Sequence, residues 1–93
     1  MGYTIWPDGD QGDWTREIYE ECSRAMCKFA PFKNGHEAHS VLREEFDEFW
    51  DAIKANDILH AKQEAVQLAA MALRFLVEVA HSSTETGYKR FAV

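Results

Sequence analysis

This chain predicts an all-α domain: a bundle of three main helices joined by short links and completed by homo-oligomerisation. Apolar residues recur at three- and four-residue steps along most of its length, the signature of helices with one buried face. Glycine and proline number only 5 and 2 among 93 residues, and most lie outside the middle of the chain. An all-β sandwich needs more turn punctuation than that. The length suits one domain, and apolar and charged fractions of 46% and 28% are those of a globular chain.

Residues 1–12 carry Pro7, two aspartates and turn-type glycines, and predict an extended arm. Asp13 is a candidate N-cap opening the helical domain of residues 13–93. The first helix runs from Trp14 to about Phe29, where Ile18, Cys22, Ala25, Met26 and Phe29 keep helical spacing. Pro31 ends it, because the proline ring cannot continue the hydrogen-bond ladder. Asn34 and Glu37 have capping-box spacing and start the second helix, which continues through Val41, Leu42, Phe46, Phe49, Trp50 and Ile53 to about Ala55. Asn56-Asp57 reads as a turn in which either residue caps the third helix, Ile58 to His81. A polar tail containing Gly87 follows.

The third helix is apolar nearly all round. Ala61, Ala65, Leu68, Ala72, Phe75, Leu76 and Val79 form one face, and Val66, Ala69, Ala70, Leu73, Val77 and Ala80 cover other sides. Beyond Glu64 its polar residues reduce to a narrow stripe of Gln67, Arg74 and Glu78. Two more helices from a short chain cannot cover such a surface, so a homodimer or homotetramer is expected, with Ala69, Ala70, Leu73 or Val77 under the partner. The longest apolar run, Ala65 to Ala80, is interrupted by Gln67, Arg74 and Glu78 and falls short of the roughly 20 residues a membrane span needs. With no secretory signal pattern at the start, and Cys22 and Cys27 on different faces of one helix, a cytoplasmic chain without disulfides is expected. Sixteen acids against ten bases give a net charge of −6, which excludes a nucleic-acid partner and suits capture of a cation, or of an anion through a cation.

The acids are patterned. Glu44, Glu45 and Glu48 project from one side of the second helix, Glu45 and Glu48 in line with Val41 and Ala52 at the edge of the apolar face. Like charges at that spacing repel, and a cation would remove the conflict; hard divalent ions prefer such oxygen ligands. If the second and third helices form an antiparallel hairpin, Glu48 and Glu64 fall at similar heights, and the acids converge. The alternative is a solvated acidic face, with Glu64 favoured simply by the helix dipole.

EExxE at Glu44–Glu48, followed after sixteen residues by Glu64 at the start of an apolar helix, resembles the MazG-like all-α nucleoside triphosphate pyrophosphohydrolases. The lead-in His36 to Glu45 and the run Glu64 to Phe75 resemble corresponding segments of small members, and the likeness covers roughly residues 14–80. The resemblance implies a helical bundle assembled as a dimer or tetramer, with Mg²⁺ (or Mn²⁺) on Glu44, Glu45, Glu48 and Glu64. It implies cleavage of an NTP or dNTP between the α- and β-phosphates, giving monophosphate and pyrophosphate, as in nucleotide-pool house-cleaning. At the position where the family usually has a further Asp ligand this chain has Gln67, whose carbonyl can ligate a cation but brings no charge. That departure keeps a second class open: a nucleotide-binding or helical interaction module without catalysis.

Phosphate-facing bases are sought among Lys28, Lys33 and Arg74, with solubility the alternative for the lysines and pairing with Glu78 the alternative for Arg74. Phe29, Phe32, Asn34 and Trp50 are candidates for a base pocket, against core packing for the aromatics and a cap for Asn34. Asp57-x-x-His60 and Glu78-x-x-His81 have di-iron spacing, but the first sits at a helix start where capping accounts for the Asp. No serine or cysteine has an evident base and orienting partner.

Overall fold

A computed structural model describes residues 11–81, with side chains from Trp14 onward. The expected arm therefore lies almost wholly outside the described residues, as does the polar tail. Three helices, α1 (Gln11–Lys28), α2 (Gly35–Lys54) and α3 (Ile58–Phe75), are followed by a π-helical turn at Leu76–Ala80, and no strand occurs among the described residues. Because α1 begins at Gln11, Asp13 lies inside its first turn and is not its N-cap.

Local chemistry sets the boundaries of α2 and α3. Asn34 adopts extended backbone and its side chain accepts the Glu37 N–H at 3.0 Å. Glu37 reaches back to the Lys33 N–H at 2.6 Å, one residue before the position a standard capping box uses. At the far end, Asn56 takes φ 57, the left-handed conformation that Asn tolerates better than most residues. Its N–H bonds to the Ile53 carbonyl and the Asp57 N–H to the Ala52 carbonyl, the paired bonds of a Schellman ending. Asp57 then caps α3 by accepting the His60 N–H at 3.1 Å. Turn and cap share two residues, so α2 and α3 form a tight hairpin.

The central element is α3, which packs along both α1 and α2. Cys22 and Ala25 of α1 meet Ala70 and Met71 of α3, with Ile18, Val41, Leu42 and Leu73 closing around them. A second cluster joins Phe32 of the α1–α2 link to Ala38 and Val79. Small residues dominate the first cluster, which lets α1 and α3 approach closely. Cys22 is buried and Cys27 exposed, and both thiols are free.

One expectation for the third helix is corrected in part. Ala70 is buried within the protomer and Leu73 packs on its own core, so neither needs a second chain; Ala65, Ala72, Leu76 and Val77 are the exposed ones. The stripe of Gln67, Arg74 and Glu78 faces the protomer's interior, and the pairing of Arg74 with Glu78, one of the two alternatives for Arg74, is the one found. Arg74 is 4% exposed, its Nε bonds Glu78 Oε1 at 3.0 Å, and its Nη2 donates to the Ala30 carbonyl at 2.7 Å. The same Glu78 oxygen accepts the Phe32 N–H at 2.8 Å, and the guanidinium lies 4.0 Å from the Phe32 ring centroid. An inward charge is tolerable here because each half neutralises the other and both satisfy linker backbone. The wider π turn also breaks the 100° phase on which a helical wheel depends.

Candidate metal centre and adjoining cleft

The α2–α3 hairpin brings acids from two helices together. Glu45, Glu48 and Glu64 offer carboxylate oxygens that all lie within 4.8 Å of one another. Crowding shifts their protonation. Glu45 is half-buried, and desolvation, then the charges of Glu48 and Glu64, push its pKa up to about 7. Glu48 is also raised, first by desolvation and then by the Glu64 charge, with His60 opposing. Glu64 is the innermost: its side chain is 15% exposed, and Oε1 is buried without a hydrogen-bond partner when all three groups are ionised. Its other oxygen, Oε2, lies 3.1 Å from His60 Nε2. A buried, unpartnered carboxylate oxygen among like charges is costly, and either a proton or a cation relieves it. The donor set is all oxygen and anionic, which fits a hard divalent ion such as Mg²⁺ or Mn²⁺.

Glu45 also belongs to a cleft of about 720 Å³ beside the cluster. Glu37, Val41, Glu44 and Glu45 of α2 form one wall, and Glu21, Arg24, Ala25 and Lys28 of α1 the other. Gln67, Met71 and Arg74 line it from α3, and Phe29, Ala30 and Phe32 close one end. Arg24 donates Nη2 to Glu21 Oε1 at 2.6 Å and Nε to the same oxygen at 3.0 Å; this holds Glu21 below the ordinary carboxylate range, with a hydrogen bond from Gln67 adding to the effect. The cleft thus carries Glu37, Glu44 and Glu45 on the α2 wall, and Arg24 and Lys28 together with Glu21 on the α1 wall.

The residues singled out from sequence divide accordingly, and Lys33, which is exposed, does not line the cleft. Glu45, Glu48 and Glu64 converge. Glu44 stands beside them on the cleft wall, exposed and outside the group of three. Gln67 lines the cleft and turns to Glu21. Lys28 is on the wall, its ammonium 5.4 Å from the Phe29 ring. Arg74 lines the cleft but is engaged by Glu78, Ala30 and Phe32. Phe32 is 4% exposed with Arg74 over its ring, so it packs in the core; Phe29, 54% exposed, is the ring with a free surface. Neither Asn34, which is the α2 cap, nor Trp50, exposed beside Lys54, lines the cleft. Sequence reasoning passed over Glu21 and Arg24, although their spacing with Lys28 places all three on one side of α1. His60 was weighed only as half of a di-iron motif.

No helix among the described residues is long and apolar enough to cross a membrane. Comparison of the chain with models of known protein families, with curated proteins and with solved structures finds no match.

Proposed function

We propose that this chain is a cation-dependent nucleoside triphosphate pyrophosphohydrolase of the MazG-like kind, acting in the cytoplasm on NTPs or dNTPs. The observation that carries the reading is the meeting of Glu45, Glu48 and Glu64, from two helices, at the edge of a cleft with basic groups on its far wall. A protein of net charge −6 has little means of holding a polyphosphate except through a cation. Glu45, Glu48 and Glu64 would hold Mg²⁺ or Mn²⁺, with Glu44 close by. When bound, the ion neutralises charge developing on phosphate oxygens and polarises the phosphorus under attack. Arg24 and Lys28 are placed to meet phosphate oxygens from the opposite wall, and Phe29 offers a ring face to a base. A carboxylate of the cluster not engaged by the ion orients the attacking water and takes its proton.

The proposal includes a homodimer or homotetramer. Leu76 and Val77 at the end of α3, and Ile58 and Leu59 at its start, are 44–70% exposed, an apolar surface suited to a second copy.

Pyrophosphate release from a panel of nucleoside triphosphates with Mg²⁺ and Mn²⁺ tests the reading. Release of pyrophosphate with a monophosphate supports it. Release from none of them overturns the enzyme, and the Gln67 substitution then favours a nucleotide-binding module.

A further inference from the structure

The cation reading leaves open how Glu64 is kept ready. Its carboxylate is the most enclosed of the three, and a buried carboxylate beside two like charges tends to rotate away or pick up a proton. Ordinarily an exposed His–Glu pair one turn apart contributes little. Here the geometry differs on Glu64's side: the carboxylate is 15% exposed, one oxygen is engaged by His60 Nε2 at 3.1 Å, and the other is buried without a partner.

His60 is itself held. Its N–H donates to Asp57 Oδ1 at 3.1 Å, and its ring Nδ1 lies 4.0 Å from Asp57 Oδ2. Asp57 in turn is fixed by the Schellman ending of α2, through its own N–H to the Ala52 carbonyl. A chain of contacts therefore runs from the hairpin turn through Asp57 and His60 to Glu64. Each link is one helical turn or less from the next, and the cap fixes the backbone from which the His60 ring projects.

We infer that His60 is a positioning residue for Glu64. By donating from Nε2 to Oε2 it fixes the carboxylate's rotation and leaves Oε1 for the cation. This rests on the cation reading of the Glu45–Glu48–Glu64 cluster. Outer partners that orient a ligand typically account for about 10–100-fold in metal affinity. Glu45 is crowded by other acids, and Glu48 likewise except for the opposing charge of the same His60.

The test is Mn²⁺ affinity, read by electron paramagnetic resonance on the full chain without nucleotide. His60→Ala removes the donor, His60→Gln returns an N–H at similar reach, and Glu48→Gln removes a ligand. The Asp57 cap uses the backbone N–H of residue 60 and survives all three; urea unfolding checks this. The expected result is about 10–100-fold weaker Mn²⁺ binding for His60→Ala, with affinity largely restored by His60→Gln. Unchanged affinity in His60→Ala, while Glu48→Gln loses binding, overturns the role of His60 and leaves the cation site standing. Equal weakening by Ala and Gln also overturns it, since the hydrogen bond is then not the cause. Absence of Mn²⁺ binding in the natural chain overturns the cation site and the inference together.

Discussion

Arg74 and Glu78 form an ion pair one turn apart at the end of α3, Nε to Oε1 3.0 Å, with both side chains 5% exposed. Two backbone groups of the linker hang on it, the Ala30 carbonyl on the guanidinium and the Phe32 N–H on the carboxylate. The pair is therefore the clasp between the α1–α2 link and the end of the α3 segment, and its Arg74 lines the cleft. Arg74→Ala leaves Glu78 buried without its counter-charge and should cost about 3–5 kcal/mol. Urea unfolding measures this, and a loss under about 1 kcal/mol would show that the pair is dispensable.

Glu48→Gln should leave the fold intact or slightly stabilised in the absence of metal, because it removes one charge from a repelling cluster. Turnover should be lost nonetheless. Thermal unfolding and pyrophosphate release on the same preparation separate the two effects; a destabilised variant would contradict the repulsion argument.

The Glu45 carboxyl has its pKa raised from 4.5 to about 7 by desolvation first and by neighbouring acids second. A folded-state pKa above the unfolded value means that the fold binds the proton more tightly. The stabilisation is fully present below pH 4.5 and is lost as pH rises through about 7. Metal-free protein should therefore weaken over that window, and Glu45→Gln should flatten this part of the profile. Cation binding near pH 7 should release about half a proton, measurable by calorimetry in buffers of different ionisation enthalpy.

Gln67→Asp adds a carboxylate to the cleft where the resemblance leads one to expect an acid. It should tighten Mn²⁺ binding if residue 67 contributes to the cation site. Because Gln67 bonds Glu21, the added charge should also raise the Glu21 pKa, a change that carbon-detected NMR titration reads independently.

Val77→Glu places a charge on the exposed apolar end of α3, which is 44% exposed in the protomer. If that face meets a second copy, light scattering at micromolar concentration should show a shift towards monomer, while helicity is unchanged. A natural chain already monomeric would remove the assembly from the proposal.

Three helices, the Pro31 break, the Asn34 cap, a cap at Asn56 or Asp57 and the partnership of Glu48 with Glu64 could all be read from the chain alone. Each depends on residues close in sequence or on a hairpin whose turn is announced by Asn56-Asp57. Local hydrogen-bond geometry and a 3.6-residue period decide such features. What tertiary structure decided is the facing of α3. The pairing of Arg74 with Glu78 is one alternative in the sequence, but its burial rests on Ala30 and Phe32, more than forty residues earlier, which supply the further partners. The cleft is equally non-local, since Arg24 and Glu21 become wall residues only once α1 lies along α3. The same holds for Phe32 and Trp50, which share aromatic character and a place beside helical segments. Burial under Arg74 puts one in the core, while the other stays half exposed with the Lys54 ammonium over its ring. Periodicity states which residues of a helix share a side; only packing against the other helices states which side faces in.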